Sequence, residues 1–154
     1  MSDQHDDALA ARAAIHDLLV RLAIAQDERD WDTLAGCYAH DAVYRHPSGE
    51  LGGVDAILDR ARTALAPLDA SQHLLGTILV DVAGDTATST TYFHAQHVRR
   101  GTPGGDLFVI AGTYADGFAR HDGLWRIAER VQHYTWRDGN PDVIRRDSQD
   151  GGSR

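Results

Sequence analysis

The chain contains no lysine: all fifteen of its basic residues are arginine. Schiff-base catalysis through a side-chain amine is therefore excluded, as is a lysine general base, and any base must come from His, Asp, Glu, Tyr or Cys. Cysteine is nearly absent too. Cys37 stands alone, which rules out an intramolecular disulfide framework and a cysteine-rich zinc site, and between Gly36 and Tyr38 it suits a small core position. No stretch approaches the ~20 apolar residues of a membrane span. The N-terminus, Met1 to Asp7, is too acidic and polar for a signal peptide, so a cytoplasmic protein is expected. Positive charge is in deficit, and a formal net charge of −8 argues against general binding to nucleic acid or anionic membranes. There is no Gly-rich phosphate loop or nucleotide fingerprint, so no cofactor is expected.

What is present makes one domain. A chain of 154 residues is long enough to bury about 70% of the surface that its unfolded form exposes. A helix is expected from about Ala8 to Glu28, with Ile15, Leu18, Leu19 and Leu22 as its buried stripe. Asp30 reads as the N-cap of a short helix from Trp31 to Tyr38, and Asp41 to His46 as a strand that Pro47 ends. Gly52-Gly53 precedes a helix from Val54 to about Leu65, closed by Pro67. From Ser71 the texture becomes long strands separated by turn signals: 71–82, 86–100, 106–120 and 124–137. Helices followed by such a meander predict an α+β domain, a single unit over 1–137 with a polar, loosely held tail over 138–154.

His73 is the residue of most chemical interest. Strict alternation puts Ser71, His73, Leu75, Thr77 and Leu79 on one face of its strand and Leu74, Gly76, Ile78, Val80 and Val82 on the other. Both faces are then mostly apolar and the strand is expected to be covered on each side, where an imidazole needs a hydrogen-bond partner. Asp27 is the proposed partner: its same-face neighbours Ile24, Ala23 and Val20 put it at the edge of an apolar surface, though it also falls in the last turn of its helix, where it could simply face water.

The order Ile15-His-Asp-Leu-Leu, Asp27-Glu-Arg-Asp-Trp-Asp, Asp41-Ala-Val-Tyr, Gln72-His73 with Gly76, Gly112-Thr-Tyr114 and Asp122-Gly-Leu-Trp-Arg-Ile127 resembles the SnoaL-like branch of the nuclear-transport-factor-2-like superfamily. The resemblance covers the chain to about Trp136. It implies a cone-shaped α+β barrel, a curled, mainly antiparallel sheet around helices with a pocket in its mouth. Several members of that branch are lyases, dehydratases and a dehydrochlorinase among them. By the same resemblance Asp27 and His73 fall where those lyases keep an Asp–His dyad, and Arg130 where a pocket arginine stands. Leu22 departs from the pattern, because a polar residue occupies that position in the related lyases.

A carboxylate that accepts one imidazole N–H fixes the tautomer and leaves the other nitrogen as a base aimed at the pocket. An arginine opposite could stabilise a developing anion or a departing group. The first reading is thus a cofactor-independent lyase of the dehydratase type, acting on a small, largely apolar cyclic or polyketide-like compound, with His73 as base, Asp27 as its orienter and Arg130 as the leaving-group contact. An isomerase or cyclase using the same base is the second, and a non-catalytic ligand-binding domain the third. His94 and His97 point to opposite faces if they lie on one strand and cannot share an ion, so no metal is expected, and which of His94, Gln96 or His97 faces the pocket depends on a one-residue register. Tyr44, His46, Tyr114, Tyr134 and Trp136 are further candidates for its lining. Phe93, Phe108 and Ile110 lie on runs too apolar to stay wet, which predicts an oligomer through the sheet. The resemblance implies a trimer, with a dimer as the alternative.

Overall fold

A computed structural model describes residues 2–145. Helix α1 (Ser2–Glu28) and the short α2 (Trp31–Gly36) lead into β1 (Tyr38–His46) and β2 (Gly49–Gly52). Helix α3 (Val54–Leu65) follows, and then β3 (Ala70–Ala83), β4 (Thr86–Val98), β5 (Leu107–His121), β6 (Leu124–Gly139) and a 3-10 turn at Pro141–Val143. The six strands form one sheet in the order β2-β1-β6-β5-β4-β3. Only β1 and β6 run parallel. The result is the expected α+β cone, with an open mixed sheet wrapped on the helices.

The main core is the inner stripe of α1 against that sheet: Ala11, Ile15, Leu18, Leu19, Leu22 and Ala25 pack with Phe118, Trp125 and Ile127. Helix α1 starts earlier than its apolar stripe suggests. Its acidic first turns suit the positive end of the helix dipole, and Asp7 accepts a two-pronged bond from Arg120 at 3.0 and 3.1 Å. Asp30 caps α2 as expected, accepting from the Thr33 backbone N–H at 3.1 Å. The turn after β1 is a hairpin rather than a plain stop, because β2 pairs back onto Val43–His46. Beyond Arg137 the chain stays tied down for eight residues: β6 continues to Gly139 and Val143 is buried in a second cluster with Phe93, Phe108 and Ile110. The remainder of the predicted tail, 146–154, lies outside the described residues. No helix among the described residues is long and apolar enough to cross a membrane.

Strand β3 corrects the two-sided reading. The pairing with β4 slips between Gly76 and Ile78, and Thr77, at φ 53°, is left over as a bulge. One extra residue inverts the alternation beyond it. Ile78, Val80 and Val82 thereby join Leu75 against the core, while Leu74 and Leu79 point outward at 55% and 63% exposure. The strand lies at the sheet edge and is covered on one face only. Phe93, Phe108 and Ile110 are likewise core residues, and the exposed apolar side chains of the long strands include Leu74, Leu79, Tyr92 and Trp136.

Candidate active site

Three elements build the site around His73. Helix α1 ends at Glu28, and Arg29 takes a left-handed backbone conformation (φ 61°) that turns the chain. The Arg29 guanidinium folds back onto the exposed carbonyls of Gln26 (2.6 Å) and Asp27 (3.0 Å), a cationic cap on the helix C-terminus, and donates to Ser71 Oγ at 2.8 Å. That arrangement brings Asp27 under the first residues of β3. Asp27 Oδ1 lies 2.7 Å from His73 Nδ1 and 3.0 Å from the Ser71 hydroxyl, while Oδ2 accepts the His73 backbone N–H at 2.8 Å. The expected partnership is therefore present as geometry. The His73 side chain is only 5% exposed, and Asp27 is half-buried rather than turned to water.

A carboxylate with this many donors stays ionised. Burial pushes the Asp27 pKa up, but the hydrogen bonds from the His73 ring and backbone, the His73 charge and the Ser71 hydroxyl outweigh it and leave the pKa below the usual carboxylate value. Nδ1 of His73 is then the donor to this carboxylate, so in the neutral ring Nε2 is the lone-pair acceptor. His73 lines a cavity of about 100 Å³ whose walls include Leu22, Leu34, Ile57, Phe93, Ala95 and Ile110.

The register question on β4 resolves in favour of His97. It is buried, edge-on to His73 at a ring separation of 5.8 Å, and donates through Nδ1 to the Phe108 carbonyl at 3.2 Å. Burial foremost, then the nearby His73, lowers its pKa to about 4, so it is neutral at physiological pH. His94 points outward against Trp136, and neither Trp136 nor His46 lines this cavity, whereas Tyr44, Tyr114 and Tyr134 do.

Arg130 also lines the cavity, but its charge is already partnered. Nε and Nη2 donate to the two oxygens of Asp116 at 2.7 and 2.8 Å, and the guanidinium stacks 3.9 Å from the Tyr114 ring centre. Burial works against the Arg130 charge; Asp116 foremost, with Tyr38 and Tyr114, holds it firmly protonated. Tyr38 is pushed up to about 12 by burial despite the adjacent Arg130 and stays a neutral phenol. On the neighbouring strand, the Tyr44 hydroxyl donates to Gln132 Oε1 at 2.7 Å. Sequence reasoning missed Asp116. The available signal was its strand phase: Tyr114, Asp116 and Phe118 share the buried face, which places a carboxylate where only a paired one is tolerated.

Fold and site together define an α+β cone with a cavity beside His73. The chain belongs to the SnoaL-like domain family of the nuclear-transport-factor-2-like superfamily, its residues 7–131 matching that domain. It is 30% identical over 139 residues to the terrestric acid biosynthesis cluster protein E of Penicillium crustosum, covering 86% of this chain and 88% of that one. Over 134 residues it is 29% identical to the gamma-hexachlorocyclohexane dehydrochlorinase of Sphingobium indicum, covering 80% of each. The crystal structure of LinA superposes with a TM-score of 0.80 at 26% identity, covering 95% of this chain and 99% of the other.

Proposed function

We propose that the chain is a cofactor-independent cytoplasmic lyase that eliminates water or a comparable leaving group from a small, largely apolar cyclic or polyketide-like compound. The observation that carries this reading is the 2.7 Å contact between Asp27 Oδ1 and His73 Nδ1, with the His73 ring at an apolar cavity. Nε2 of His73 removes a proton from carbon, the C–H electrons form the new double bond, and the leaving group departs with its bonding pair. When hydroxide leaves, the imidazolium returns the proton and water is released; when halide leaves, the proton is lost to solvent. Asp27 stabilises the imidazolium in between. Arg130, steadied by Asp116, faces the cavity as the contact for the departing group. A cavity of about 100 Å³ limits the substrate to no more than one ring, since a space on the order of 150 Å³ holds benzene. The dehydrochlorinase relative supports elimination in particular.

The test is a double-mutant cycle. Single-ring alcohols and halides, gamma-hexachlorocyclohexane among them, are screened for turnover, and Asp27→Asn, His73→Ala and the double variant are assayed on whichever is converted. Each single change should cost about 10²-fold or more, and the double should be little worse than the worse single, because the two act as one unit. Multiplicative losses, or near-normal rates without His73, would remove the dyad from the chemistry. Solvent deuterium entering recovered substrate, with no group eliminated, would move the assignment to an isomerase or cyclase.

A further inference from the structure

The cavity's charged residues do not balance. Asp27 is hydrogen-bonded to His73 with the Arg29 charge beside it, and Asp116 is paired with Arg130. His97 is held neutral by burial. The remaining charged residue on the cavity wall is Arg60 of α3, half-buried, which has no ion-pair or hydrogen-bond partner among the described residues. A half-buried cation carries a desolvation cost that natural sites offset with a partner. Here the partner is missing among the described residues.

The position of Arg60 is as informative as its charge. Helix α3 packs on β1 and β2 at one edge of the sheet, whereas His73 lies on β3 at the opposite edge. The two residues thus approach the cavity from different sides. The field of Arg60 reaches the β1 wall: after burial it is what lowers His46, and it opposes the larger effect of burial at Tyr44. The neighbours of Arg60 on α3 that line the cavity, Ile57, Ala61 and Ala64, are apolar and supply no counter-charge. The chain as a whole carries −8 and repels anions. A guanidinium on the cavity wall with no counter-charge among the described residues is a local exception to that field.

We propose that the substrate is an anion, with a carboxylate or similar planar oxyanion that Arg60 binds on the α3 side while the apolar body and the acidic carbon reach His73 on the β3 side. This refines the elimination reading and rests on it for the reacting end alone. A guanidinium pairs with a carboxylate through two parallel N–H···O bonds, so it orients the ligand as well as attracting it. Keeping the anion at the far end matters chemically, because a negative charge beside the acidic carbon would resist its deprotonation.

Benzoate and benzamide, one ring each and alike in shape, serve as probes by titration calorimetry at pH 7.5. Benzoate should bind at least tenfold more tightly than benzamide, with an affinity that weakens as salt is raised. Arg60→Gln should abolish the preference, and Arg60→Lys should keep part of it, which separates loss of charge from loss of fold. His73→Gln should leave the preference in place while abolishing turnover; a His73→Gln variant that still turns over substrate sinks the elimination reading and leaves the anion site standing. Equal affinities for the two probes, a preference that survives Arg60→Gln, or no benzoate binding at millimolar concentration would each overturn the proposal.

Discussion

Asp116 and Arg130 stand directly opposite each other on β5 and β6 and share two hydrogen bonds, with the Asp116 side chain wholly buried and that of Arg130 4% exposed. A pair this deep is expensive to form and more expensive to break, because removal of one member strands the other charge away from water. Asp116→Ala should therefore lower stability by about 3–5 kcal/mol. Replacing both residues together, as Asp116→Leu with Arg130→Met, should restore most of that stability and abolish turnover. Urea midpoints beside activity assays check both halves, and a fully stable Asp116→Ala would show that the pair is not as dry as it looks.

His97 makes acid stability predictable in sign. Its pKa is about 4 in the fold against 6.5 for an ordinary histidine, so between those values the unfolded chain binds more protons. Stability is then complete above pH 6.5, falls as the pH drops through the window and levels off below about 4, for a total near 3 kcal/mol. Asp27 acts lower down: its pKa is depressed, so its contribution is present above the usual carboxylate value of 3.8 and is lost as the pH falls through the folded one. Denaturation midpoints from pH 7 to 4 should slope in wild type and slope much less in His97→Gln, where His46 still contributes.

Thr77 occupies a left-handed conformation (φ 53°) that a β-branched side chain adopts at a cost of roughly 1–2 kcal/mol. Asparagine tolerates that region better, without the extra chain entropy of glycine. Thr77→Asn should raise stability by about 0.5–1 kcal/mol. Differential calorimetry reads the gain, and a loss of stability would mean that the threonine side chain makes contacts outweighing the strain.

The outer sheet face carries the remaining expectation. Leu79, Tyr92, Leu74 and Trp136 are each about half exposed or more on strands β3, β4 and β6, an apolar group that a lone chain would leave wet. We expect association through this face, as a trimer with a dimer as the alternative. Light scattering at micromolar concentration should show the oligomer, and Leu79→Glu with Tyr92→Arg should shift it to monomer.

Most of the cone was legible because its signals were local. Val54–Leu65 lies between Gly53 and Pro67, both explicit stops, and the turns at Gly84 and Gly123 separate the long strands. Asp27 and His73 could be paired from their apolar surroundings and the family resemblance, although 46 residues separate them. What escaped depended on register. Nothing in Gly76-Thr77-Ile78 announces a bulge, yet that residue decides which half of β3 is core. The same one-residue uncertainty left His94 and His97 undecided and assigned Phe93, Phe108 and Ile110 to the open face, where their strand phase turns them inward. Close approach is similarly silent: β6 comes so near Gly112 that a Cβ there would run into the His133 carbonyl.

Asp27 binds His73 twice, through the ring and through the backbone N–H, and holds Ser71 as well. Strand β3 has a sheet neighbour on one side only, so this carboxylate is also the rivet that fastens the start of an edge strand to α1. A variant lacking it loses an anchor together with an orienter. Lost turnover in Asp27→Ala is therefore ambiguous by construction, and amide exchange along residues 70–75 is what separates a silenced imidazole from a frayed edge.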